Sequence, residues 1–107
     1  MVSTETFREL ALSFPGATEH PHFDRRAFKA KKIFATLHEN KRTANFVFSL
    51  GDQQEFCSLD ATVVYPVPNK FGLAGWTTIE LDKAAEELVL AALEAAYNES
   101  LKSKSRK

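Results

Sequence analysis

Reactive side chains are scarce in this chain, and those present are poorly spaced for catalysis. Its 107 residues hold three histidines, His20, His22 and His38, and one cysteine, Cys57. His20 and His22 stand two apart in His20-Pro21-His22-Phe23-Asp24, so on extended backbone both imidazoles point the same way. With Asp24 or His38 added they would make the start of a transition-metal site, but a tetrahedral site needs three or four convergent ligands. A polar histidine-rich loop is the simpler reading, and no metal or other cofactor is expected. Cys57 has Glu55 and Asp60 nearby, and acidic neighbours raise a thiol pKa, so an inert thiol is expected. Ser49 is not in a nucleophile-elbow pattern, and Gly72-Leu73-Ala74-Gly75 lacks the glycine spacing of a phosphate loop. No nucleophile, base and orienting group can be assembled, so a non-enzymatic role is expected.

Charge carries more information. The formal net charge is zero, so any polyanion binding must come from local segregation of charge. Between positions 25 and 42 the cations Arg25, Arg26, Lys29, Lys31, Lys32, Lys41 and Arg42 face a single acid, Glu39. From position 80 to 99 the bias reverses, with Glu80, Asp82, Glu86, Glu87, Glu94 and Glu99 against Lys83. Turns bearing Lys31-Lys32 and Lys41-Arg42 would present positive charge to a phosphate backbone, and Lys102, Lys104, Arg106 and Lys107 would add to it. The competing reading is ordinary: cations on exposed turns and edge strands keep a sheet from pairing with other chains. Tyr65, Phe71 and Trp76 offer apolar walls for a second possibility, a pocket for a small molecule or a protein segment.

The elements that must position these residues follow from periodicity. Phe7, Leu10, Ala11 and Phe14 form the stripe of an amphipathic helix, capped by Thr4 and ended by Pro15-Gly16. Residues 17–24 are read as loop or a short edge strand. From Arg26 the period is two: Phe28 and Ala30, then Ile33, Ala35 and Leu37 alternating with Phe34, Thr36 and His38, then Phe46, Phe48 and Leu50. The short connections between them make an antiparallel meander. Asp52 with Glu55 suggests the start of a short helix, and Val63 to Pro68 carries two prolines and reads as an extended connector. Residues 75–81 read as a further strand. Asp82 is placed as the cap of a last helix with the stripe Ala85, Leu88, Val89, Ala92, Leu93, Ala96 and Tyr97.

The fold class expected is therefore α+β, an antiparallel sheet of about four to five strands packed against N- and C-terminal helices, with a short helix between strands. Residues 1–101 are read as one domain and 102–107 as a basic, frayed tail. Met1-Val2-Ser3-Thr4-Glu5 has no signal-peptide character, no apolar run approaches membrane-spanning length, and the lone cysteine makes no internal disulfide. A cytoplasmic location without membrane association is expected.

Leu12-Ser13-Phe14-Pro15-Gly16-Ala17-Thr18-Glu19, the strand pair around Phe28 to Leu37, and Gly75-Trp76-Thr77-Thr78-Ile79-Glu80-Leu81 before a final helix resemble the MmcQ/YjbR family over Thr4 to Tyr97. The resemblance implies a "double-wing" arrangement similar to CyaY folds, with β-hairpins as wings, and a DNA-binding role; together with the basic hairpins it makes sequence-independent phosphate contacts to double-stranded DNA the leading expectation. It brings no catalytic residues and no cofactor. This chain departs from the family where Ala30-Lys31 replaces a glycine-containing turn, so another turn type or a longer loop is expected there.

Overall fold

The protein is described here by a computed structural model covering residues 1–102; Lys104, Arg106 and Lys107 of the basic tail lie outside the described residues. The elements are α1 (Thr4–Leu12), β1 (Thr18–His22), β2 (Arg25–Lys29), β3 (Ile33–His38), β4 (Thr43–Val47), α2 (Leu50–Cys57), β5 (Val64–Pro66), α3 (Lys70–Leu73), β6 (Trp76–Glu80) and α4 (Glu86–Leu101). All strand pairs are antiparallel, in the order β1-β2-β3-β4-β6-β5. The α+β class holds, with six strands where about four to five are expected from the sequence. The additional strands are the two edges, and each edge carries a proline, Pro21 in β1 and Pro66 in β5. Proline lacks an N–H, which only an edge strand can forgo without losing a ladder bond.

Three helix starts differ from the cap residues read in the sequence. Ser3, not Thr4, caps α1, its Oγ accepting from the Thr6 N–H at 3.0 Å. At the last helix, Leu81–Lys83 makes a turn, the chain continues extended to Ala85, and α4 begins at Glu86 with no side-chain cap. Asp82 instead holds Arg42 at 3.3 Å. Ser49, not Asp52, caps α2, its Oγ accepting from the Asp52 N–H at 3.1 Å, so Asp52 lies in the first turn.

One face of the sheet is sealed by α1 and α4. Phe7 meets Phe28 and Phe46 edge-on at centroid distances of 5.5 and 5.9 Å, and Phe48 stacks between Phe46 and Phe56. Leu37, Ile79, Leu81 and Leu93 complete the buried layer. Phe34, which simple alternation with Ile33 and Ala35 would turn away from that layer, is fully buried against Phe14 and Tyr97. The register between β2 and β3 shifts at Phe28/Lys29, and a bulge re-aims the side chains that follow it. The turn at Ala30–Lys32 is closed by the Ala30 N–H donating to the Lys32 carbonyl at 3.1 Å, with no residue at positive φ. This is a resolution of the missing glycine. Positive φ occurs instead at Phe23 and Arg42, in the neighbouring turns.

Candidate functional site

Among the described residues, no helix is laid across the other face of the sheet. Register and alternation align His20, Ala27, Thr36, Asn45, Thr78 and Tyr65 in one cross-strand row running over all six strands. His22 and Arg25 are paired beside it, as are Thr43 with Glu80, and Val47 with Trp76. The result is a polar trough with aromatic margins. The segment from Val67 to Phe71 forms one wall, held close because Gly72 packs its Cα against the Val67 carbonyl. A Cβ there would lie 1.9 Å from that oxygen. Gln53 ties the wall down by donating from Nε2 to the Gly72 carbonyl at 2.8 Å and the Trp76 carbonyl at 3.2 Å.

Two adjoining cavities fill the trough. One, of about 310 Å³, is lined in part by Arg25, Asn45, Phe71 and Trp76. The other, of about 510 Å³, includes Arg25, Lys41, Asn45, Tyr65 and Glu80. Arg25 belongs to both, and its Nη1 is buried with no hydrogen-bond partner among the described residues. A buried guanidinium donor without an acceptor is costly, and it marks a place where an anion or carbonyl would be favoured.

The remaining polar groups are partly committed. Thr78 Oγ1 donates to Asn45 Oδ1 at 2.6 Å, which fixes the amide and leaves its NH₂ as a donor. The Tyr65 hydroxyl donates to the Glu80 carboxylate, and that bond, with burial and the negative charge, pushes Tyr65 up to about 12. His38 Nδ1 accepts from the Lys41 N–H at 3.4 Å while Nε2 faces Asp24 Oδ2 at 3.2 Å, which selects the Nε2–H tautomer in the neutral ring.

The seven cations singled out in the sequence do not share one patch. Arg25 and Arg26 are neighbours in the chain, and alternation sends them to opposite faces. Arg26 lies on the helix side, bridging Glu19 at 3.3 Å and Glu39 at 3.8 Å, beside Arg8, which forks onto Glu19 at 3.0 and 3.2 Å. The Arg8–Glu19–Arg26 cluster escapes a reading by spacing, because it depends on where α1 docks. Arg42 is paired with Asp82. Arg25, Lys29, Lys31, Lys32 and Lys41 have no ion pair among the described residues. Lys31 and Lys32 sit in the β2–β3 turn and Lys41 in the β3–β4 turn, at opposite ends of β3. A strand of that length separates them by about 20 Å, with Arg25 on the intervening face. The exposed Glu86, Glu87 and Glu94 ride on α4, across the sheet from the trough.

Of the pocket residues anticipated, Trp76 and Phe71 line one cavity and Tyr65 the other. Asn45, Thr36 and Thr78 were missed. The polar alternation Thr43-Ala44-Asn45-Phe46 was the available signal. His20 and His22 do lie on the same face of β1, yet among the described residues no three His, Cys, Asp or Glu side chains are placed to hold one metal ion. Burial, rather than its acidic neighbours, pushes the Cys57 thiol up. No helix among the described residues is long and apolar enough to cross a membrane.

Comparison with known proteins agrees with this architecture. The crystal structure of Deinococcus radiodurans protein DR2400, which carries a DUF419 domain, superposes with a TM-score of 0.76 at 18% identity, covering 91% of this chain and 77% of that one. No curated protein matches the chain. A family model described as YjbR matches residues 12–99, and on that match the chain belongs to the YjbR family.

Proposed function

We propose that this protein is a non-catalytic domain that binds double-stranded DNA through sequence-independent phosphate contacts. The observation that carries this reading is the segregation of charge across the sheet. Arg25, Lys29, Lys31, Lys32 and Lys41, without an ion pair among the described residues, lie on or at the ends of the trough face, where Glu80 is engaged by the Tyr65 hydroxyl, while the glutamates of α4 lie behind it. A neutral chain divided this way presents a positive face without a positive net charge. Arg26 and Arg42, engaged with Glu19, Glu39 and Asp82, contribute scaffolding rather than contacts. The spacing of the two turns suits a ligand whose charges repeat along its length, as a phosphate backbone's do.

The test is a salt titration of binding to a labelled duplex. Five phosphate contacts give a log–log slope of about −4 to −5. Lys31→Glu combined with Lys32→Glu should cut affinity at least tenfold and flatten the slope by about 2. Unchanged affinity in that variant overturns the assignment.

The trough supports a second reading, a binding module for a small molecule or protein segment with Tyr65, Phe71 and Trp76 as its walls. A cavity of about 310 Å³ falls at the lower end of ligand-site sizes.

A further inference from the structure

We infer that the trough is a subsite for one unpaired nucleotide, taken either as a free nucleoside phosphate or as a base in a single strand. Three features point to the same chemistry. Arg25 offers a buried Nη1 with no acceptor among the described residues, at the junction of the two cavities. An anionic oxygen is the partner that a guanidinium donor takes most strongly. Trp76 and Phe71 border the same cavity, and half-exposed aromatic rings beside a cation are where nucleobases stack. Between them, the Asn45 NH₂ remains a donor once Thr78 has taken its Oδ1, so a carbonyl on a base edge finds a partner on the sheet floor.

This geometry selects against a paired base. In a duplex, both faces of each base are covered by neighbouring bases, and the pairing edge is already satisfied. An unpaired base exposes a face to Trp76 and an edge to Asn45 at once. The strand form of this inference rests on the polyanion reading above; the free-nucleotide form does not.

Trp76 is the sole tryptophan in the chain, so its emission reports on the trough alone. The probes are inorganic phosphate, thymidine monophosphate, a short oligothymidylate and a duplex of equal length. Emission and the anisotropy of the labelled nucleic acids are followed together. The expected result is saturable quenching by the monophosphate and the oligothymidylate, with little from phosphate alone or from duplex. Phe71→Ala should weaken oligothymidylate binding about tenfold or more, while duplex affinity changes by less than about threefold; Arg25→Met should weaken oligothymidylate binding by a similar factor. If duplex and single strand both bind with strong salt dependence and Trp76 emission does not move, the subsite is overturned and the polyanion reading stands. Quenching by the monophosphate with no binding of strand or duplex supports the subsite and overturns the polyanion reading. Equal quenching by duplex and single strand overturns the selectivity claimed here.

Discussion

The same six strands present two faces with opposite finishing. On the helix side, Phe28, Leu37, Phe46 and Ile79 are fully buried, and at its margin the charges are paired, Arg8 and Arg26 on Glu19. On the trough side, Thr36 and Thr78 are nearly as buried, yet the surface they line keeps an Arg25 nitrogen without a partner among the described residues. The first face gains its stability from apolar contact and matched charge. The second gives up some stability to keep donors available, a pattern expected where a surface is built to meet a ligand rather than its own chain.

Four measurements would break or sharpen that contrast. The largest effect belongs to the helix side: Phe46→Ala should cost about 3–5 kcal/mol in denaturant unfolding. A loss under about 1 kcal/mol would mean that the packed face does not carry the fold. Next comes Phe23, an aromatic 96% exposed in the two-residue turn between β1 and β2, at φ 59. Glycine relieves a positive φ of this kind, so Phe23→Gly should raise stability by up to about 1 kcal/mol. Destabilisation would show that the ring's contact with His22 outweighs the strain.

A smaller effect is expected at Tyr65. Its bond to Glu80 is partly exposed, so after solvent screening Tyr65→Phe should cost about 0.5–1 kcal/mol. Because the folded-state value is raised from the usual 10 to about 12, this contribution is whole below pH 10 and is lost as pH climbs through 12. The variant should therefore lose less stability than the parent across that window, and a tyrosinate absorbance step near pH 12 should vanish with it. The smallest change is expected at Arg25→Met, where unfolding stability should shift by no more than about 0.5 kcal/mol, or rise, since an unsatisfied donor is removed. A loss of several kcal/mol would make Arg25 a structural member of the sheet, and the contrast between faces would fail.

Much of the architecture was legible because its periods were unbroken. The stripe of α4 holds long enough to fix both element and buried side. The alternation through Phe46 and Phe48 fixes only the buried side, because β4 ends at Val47 and the exposed Leu50, read with them as strand, opens α2. The edges were not, because Pro21 and Pro66 carry the same local message in a loop as in an edge strand. Asp82 was placed as a cap because acid followed by a helical pattern reads alike whether the helix starts at once or after a turn and an extended linker. In the candidate site, Tyr65, Phe71 and Trp76 stood out by type alone. The link of Asn45 to Thr78 spans 33 positions, and only strand pairing creates it. Grouping Arg25 with Arg26 followed from composition, whereas separating them requires knowing which face each strand residue takes.

The prolines at the two rims carry a consequence for assembly. Pro21 interrupts the outward donor row of β1, and β5 is only three residues long and ends in Pro66. A neighbouring polypeptide seeking to continue the hydrogen-bonded ladder finds too short a template on either flank. Growth by strand addition, including fibril-like stacking, is thereby discouraged at both borders, and encounters with other molecules are directed onto the broad surfaces instead.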